Sequence, residues 1–226
     1  ALTSVGEQLR LSSMNGVVDA TSFPLLETTG DRFVVEDSFL TELGGFPALA
    51  SIGGEFRVSD NGSLTTVSGF DALTTVGEFY MEDNAALASV ADFPVLETVS
   101  GHFYFRSNSA VTAVGGFDAL VTVDGMVFLE SNDTLASISG FNALASADSV
   151  QIGDNELLTE ITGFTALESL QELAVEYNAV LETLSGFGSL VEAEEVYVED
   201  NPLLSVTTLG CDLVQTNTTS YGFSGN

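Results

Sequence analysis

One phenylalanine returns along this chain every 23 or 24 residues, at Phe23, Phe46, Phe70, Phe93, Phe117, Phe141, Phe164 and Phe187. A unit this short cannot bury an apolar face alone, so a constant period in this range means that each copy is one coil of a stack. Asparagine keeps the same period at Asn61, Asn84, Asn108, Asn132, Asn155, Asn178 and Asn201, with Ser38 standing in once. The shared pattern reads F-x-x-L-x-x-V-x-G-x-φ-x-φ-x-x-N-x-x-L-x-x-V-x-G, where φ is apolar. The opening "ALTSV" fits a coil whose phenylalanine would precede residue 1, and the pattern runs to near Val206.

Each fixed offset has a physical task. The φ-x-φ segments, such as "FRV" at Phe56, "FYM" at Phe79, "FYF" at Phe103 and "VFL" at Val127, alternate as half-buried strands do. Stacked coils make these strands a parallel sheet with neighbours about 4.8 Å apart. An inward asparagine carries donors and an acceptor for the backbone where the coil bends, and the phenylalanines form a spine. The remaining segments are short and rich in Thr, Ser, Val and Gly, which argues against a helix. The expectation is an all-β, right-handed parallel β-solenoid of about nine 23–24-residue leucine-rich-type turns, with little or no helix. Residues 1–208 form the solenoid, and 209–226, where the period breaks, form a C-terminal cap or the start of a linker.

Charge narrows the partners. The 226 residues include 33 Asp and Glu against 4 Arg and no Lys, a formal net charge of −29, yet 45% are hydrophobic. So apolar a chain folds despite its self-repulsion, and a salty or calcium-containing medium would screen that repulsion. Nucleic acid is excluded as a partner because phosphate binding needs clustered Lys and Arg. An anionic membrane surface repels the chain, and no apolar run reaches the roughly 18 residues of a span, so no membrane insertion is expected. "ALTSVGEQLR" has neither a basic nor an apolar leader segment, so a secretion signal is expected to be gone or never present. The single Cys211 allows no internal disulfide.

The stretch "LTTVGEFYMEDNAALASV" resembles the leucine-rich repeat. The helix-free "GF-x-x-L-x-x-V-x-G" half looks more like the receptor L domain and its bacterial and fungal cell-surface relatives. It departs from the receptor version in lacking cysteine-stapled ends. The resemblance implies an extracellular or cell-surface recognition or wall-associated module, not an enzyme.

Alternation along the strands assigns the outward positions. All four arginines, Arg10, Arg32, Arg57 and Arg106, and the only histidine, His102, fall on one face. In the middle coils Tyr80, Tyr104 and Phe128 are expected to form an exposed aromatic column flanked by Glu78, Glu82, His102, Arg106 and Met126. Such a patch suits a protein or glycan ligand; the competing reading is charge compensation and the ordinary preference of sheets for aromatics. An acidic row follows at Asp37, Asp60, Asp83, Asp154 and Asp200. There Glu36, Asp37, Asp60, Glu82 and Asp83 are candidate ligands of a shared Ca2+, against the alternative that each Asp forms an Asx-turn. A Ser/Thr column (Ser4, Thr28, Ser51, Thr75, Thr98, Thr122, Ser146, Ser169) would either match an ice lattice or bond along its own coil.

Of the sequons at Asn61, Asn132 and Asn217, the first two fall in the inward column, so only Asn217 is a plausible acceptor. No catalytic constellation emerges and no concave pocket is expected. The alternative to a recognition module is a structural repeat protein, its unlike ends stacking head to tail into a filament or coat.

Overall fold

Two tight turns shape every coil. In the computed structural model, which describes residues 2–18, 22–90, 93–205 and 220–225, the leucine amide of each F-x-x-L segment bonds the phenylalanine carbonyl three residues back. Leu73 reaches Phe70 at 3.1 Å, and Leu120 reaches Phe117 at 3.1 Å. The N-x-x-L segments close the same way, Leu87 to Asn84 and Leu135 to Asn132 at 3.0 Å. The variable pairs of the repeat are therefore the central residues of β-turns, where most side chains are tolerated. Cys211, Asn217 and residues 209–219 lie outside the described residues.

Between the turns the chain is extended. Nine rungs of one parallel sheet, Leu9–Ser12, Phe33–Glu36, Ser51–Ser59, Thr75–Glu82, Phe103–Arg106, Met126–Glu130, Ser149–Gly153, Ser169–Glu176 and Glu192–Glu199, stack into about eight complete turns. Beyond the asparagine bend lie two four-stranded parallel sheets, built from pieces such as Thr66–Val67 and Ser137–Ile138. Among the described residues there is no helix. The all-β parallel solenoid is thus the observed fold. Past the period break, Ser220–Ser224 adds a further rung, with Val196 opposite Tyr221.

The asparagine column joins coil to coil. Asn61 Nδ2 donates to the Ser59 carbonyl at 2.8 Å in its own coil and to the Val35 carbonyl at 3.0 Å in the coil before. Its Oδ1 accepts the Ser38 amide at 3.1 Å, while its own amide donates to Asn84 Oδ1 at 3.2 Å. The pattern continues through Asn84, Asn108, Asn132, Asn155 and Asn178 to Asn201, and all seven asparagines are fully buried. Ser38 does part of the work: its Oγ accepts the Met14 amide at 3.1 Å and donates to the Glu36 carbonyl at 2.9 Å.

Aromatic packing fills the space beside this ladder. Phe46, Phe70, Phe93, Phe117, Phe141, Phe164 and Phe187 stack with centroids 5.0–5.5 Å apart. A second stack, Phe33, Phe56, Phe79 and Phe103, meets the first edge-on, as Phe79 meets Phe93 at 5.2 Å and 84°. Both geometries suit the ring quadrupole.

The residue before each asparagine has a positive φ: 48° at Asp37, 58° at Asp60, 55° at Asp83, 52° at Asp154 and 54° at Asp200. Aspartate tolerates this left-handed conformation better than most residues. Ser107, Ser131 and Tyr177 adopt it elsewhere in the column. The acidic row thus marks a backbone bend set by φ.

Coils differ in length at the corner before the main strand, and the return from Ser38 to Phe46 is also one residue shorter than the others. The Phe-to-Asn offset is 15 from Phe46, Phe93 and Phe117 but 14 from Phe70, Phe141, Phe164 and Phe187. Thr75–Glu82, Ser169–Glu176 and Glu192–Glu199 run straight through the corner of short coils, while the long coils break there, as between Thr98–Val99 and Phe103–Arg106, or bulge, as in Ser51–Ser59.

Replacing Asn108 with alanine deprives the Asn84 amide and the Met81 and Arg106 carbonyls of a partner. The Arg106 carbonyl keeps the Asp83 amide at 3.2 Å, so the orphaned Asn84 amide carries most of the cost, about 1–3 kcal/mol. Asn108→Ser, copying Ser38, should lose less, and urea midpoints in the order parent, serine, alanine test the ladder. Thr29 Oγ1 is buried without a partner in an otherwise apolar column. Thr29→Val should therefore raise stability by about 1 kcal/mol in the same measurement.

Candidate functional site

Register, not chain proximity, assembles the outer face of the main sheet. Arg57 lies opposite Tyr80, Tyr80 opposite Tyr104, and Tyr104 opposite Phe128. The flanking rows carry Glu55, Glu78, His102 and Met126 on one side and Glu82, Arg106 and Glu130 on the other. All eight residues of the expected patch therefore share one region of one face.

Their exposure differs from expectation. Tyr80, Tyr104, Phe128, Met126, His102 and Glu78 are half-buried, Arg106 is exposed, and Glu82 is buried at 4%. The rings cover one another. Tyr80 and Tyr104 stack at 5.0 Å and 10°, Phe128 leans on Tyr104 at 5.5 Å and 58°, and the Arg57 guanidinium lies 4.3 Å from the centre of the Tyr80 ring. Planes stacked along the coil axis turn their edges outward, so the aromatic column is a packed ladder and not a set of open ring faces.

Charge pairing explains why the arginines gather here. Glu82 is clamped between Arg57 Nη1 at 3.2 Å and Arg106 Nε at 3.0 Å. Arg57 Nε also donates to Glu55 at 2.5 Å, and Arg32 Nε stands 3.5 Å from the same carboxylate. The result is an alternating ladder, Arg32–Glu55–Arg57–Glu82–Arg106, with Arg10 paired to Glu36 beside it. Burial alone would lower the pKa of Arg57, but the hydrogen bond to Glu55 and the charges of Glu55 and Glu82 hold it above its ordinary value. Burial raises the pKa of the Tyr80 phenol, and its hydrogen bond to Glu78 adds to the rise, so Tyr80 stays a neutral donor.

His102 Nδ1 accepts the Met126 amide at 3.1 Å, which places the proton of the neutral ring on Nε2. That Nε2 group and the Tyr104 hydroxyl have no hydrogen-bond partner among the described residues.

The calcium set is not brought together. Glu36 pairs with Arg10 and Glu82 with two arginines, while Asp37, Asp60 and Asp83 occupy the left-handed bend. Among the described residues no three Asp, Glu, His or Cys side chains are placed to hold a metal ion. Asn61 and Asn132 are fully buried, with their amide nitrogens bonded to carbonyls, and are closed to glycosylation. The Ser/Thr column is in register from Ser4 to Ser169.

Sequence reasoning missed a concavity. A groove of about 510 Å³ opens over Gly53, Gly54, Gly77 and Gly101, edged by Arg32, Glu55, Glu78 and Tyr80. Its signal was in the offsets: the coil from Phe70 is the one short coil with a long coil on either side.

Compared with protein-family models, curated proteins and solved structures, the chain matches none of them. Among the described residues no helix is long and apolar enough to cross a membrane.

At the other end of the face, carboxylates crowd without arginine. Burial raises the pKa of Glu176, and Glu199, Glu172, Asp200 and Asp154 push it further. Burial and Asp154 likewise raise Glu130, against a lowering by Arg106. The folded state holds these protons more tightly than the unfolded chain does. Their contribution to stability is therefore fullest below the unfolded glutamate value and is lost as pH rises through the raised folded value. Glu176→Gln should be more stable than the parent at neutral pH, with the gap closing on acidification. Thermal melts across this range test it; a gap that widens on acidification contradicts the crowding.

Proposed function

We propose that this chain is a non-enzymatic extracellular or cell-surface recognition module that binds a protein partner through the main sheet, at Tyr104, Phe128, Met126, His102 and Arg106. The observation that carries this reading is the ladder from Arg57 through Tyr80 and Tyr104 to Phe128. It gathers aromatic area and positive charge on one face of a chain of net charge −29. Rigid, pre-packed aromatics beside arginine are the residue types that anchor protein interfaces, and little side-chain entropy remains to be lost on binding. Because Tyr80 and Tyr104 stack face on face, face-on packing of a sugar is disfavoured on those two rings. That turns the broader protein-or-glycan reading toward protein. The repeat pattern supports a likeness in form to leucine-rich and receptor L-type repeats, which agrees with a recognition role. The acidity fits a salty or calcium-containing medium.

Self-association is the second reading. The end rungs Leu9–Ser12 and Ser220–Ser224 belong to the same parallel sheet, and rungs of that sheet pair like to like. Light scattering across protein and salt concentration separates the two: growth of assemblies supports stacking, and a constant monomer mass supports the free module.

The partner reading is tested by Tyr104→Ala combined with Phe128→Ala. Partner capture from a library of extracellular protein domains should be lost at least about tenfold, with an unchanged circular dichroism spectrum. Capture unaffected by the double change rejects this face.

A further inference from the structure

The groove beside the aromatic ladder is a built feature. Opposite Gly77 of the neighbouring strand the strand Ser51–Ser59 carries two residues, Gly53 and Gly54, so that Ile52 pairs with Val76 and Glu55 with Glu78. This is a β-bulge, a device that re-aims side chains beside functional sites. The short coil beneath it leaves a notch between two longer ones, and glycine lets the coils close up along the floor of that notch. A Cβ on Gly77 would stand 2.7 Å from the Gly54 carbonyl oxygen, and one on Gly101 would stand 2.8 Å from Glu78 Cγ.

The walls supply both halves of the hydrogen-bonding repertoire. Glu78 gives one oxygen to the Tyr80 hydroxyl, and its other oxygen, Oε1, lies over Gly101 without a hydrogen-bond partner among the described residues. Asp31 Oδ1 lies over Gly54. Arg32 is half-exposed at the rim, and Ser100 offers a hydroxyl on the far side. Three carboxylates, Asp31, Glu55 and Glu78, stand against one guanidinium, Arg32, in the lining, a local charge of −2, and Arg57 beside it is shared between Glu55 and Glu82.

Such a groove suits neither an anion nor an apolar molecule, and Arg32 at its rim opposes a cation. It fits a ligand whose groups each donate and accept, as sugar hydroxyls do: vicinal hydroxyls donate to the carboxylates and accept from the guanidinium.

We propose that the groove over Gly54, Gly77 and Gly101 is a binding site for a neutral saccharide, held by Glu78, Asp31 and Arg32. It adjoins the protein-binding ladder at Tyr80 but does not depend on that reading.

Calorimetric and ligand-observed NMR titrations with maltotriose, mannotriose, chitotriose and, as contrast, trilysine test it. At least one neutral trisaccharide should bind saturably in the millimolar range or tighter. Glu78→Gln and Arg32→Gln should each weaken that binding about tenfold with the circular dichroism spectrum intact. Phe128→Ala, one rung beyond Gly101 and outside the lining, should leave it unchanged. Binding of trilysine alone, no binding of any of the three sugars, or sugar binding indifferent to Glu78→Gln overturns the proposal. A loss caused by Phe128→Ala but not by Glu78→Gln would place the sugar on the ladder instead.

Discussion

Every coil of this protein depends on an amide that sits in the dry interior and bonds to its own likeness one turn away. The corner after each main strand leaves carbonyls pointing inward, and in an apolar core an unmet carbonyl is costly. Asparagine alone among uncharged side chains of this reach offers two donors and an acceptor at once. Asn108 spends all of them, on the Met81 and Arg106 carbonyls and on the Asn84 amide. The phenylalanine stacks, the β-turns and the left-handed bend at the preceding residue all take their positions from that junction.

The outer face follows a different logic, because there the chain must manage its own charge. A −29 protein with four arginines does best to place each against a carboxylate, and Arg32 and Arg57 between two. The alternation of Arg32, Glu55, Arg57, Glu82 and Arg106 does this across adjacent rungs, and it buries Glu82 completely enough to remove it from solvent chemistry. Where arginine runs out, Glu130 and Glu176 sit among other carboxylates with raised pKa values. One face thus has two electrostatic halves, a neutralised half with the aromatic ladder and groove, and a repulsive half without them.

Much of this was legible in the chain. The Phe and Asn columns were readable because inward positions in a stack cannot drift, and alternation then placed Tyr104, Arg106 and His102 on one wall. Ring orientation was not readable, since it depends on rotamers set by neighbours one coil away, and for that reason Tyr104 is half-buried where exposure was expected. The acidic row was left between a calcium site and a turn because sequence shows that Asp83 is acidic but not that its φ is positive. The groove was overlooked for a similar reason: it comes from a one-residue difference between the coils of Phe46 and Phe70, which a consensus averages away.

Like-to-like bonding between coils also bears on how such a chain can change length. If a whole repeat were excised between Asn84 and Asn108, the flanking junction would again join asparagine to asparagine and phenylalanine to phenylalanine. A single residue lost from a strand would instead shift every inward side chain of that rung to the outside. Gene rearrangements of one full period are therefore structurally quiet, while small frame-preserving slips within a strand are not, and the number of coils is the dimension along which a lineage of such proteins is free to vary.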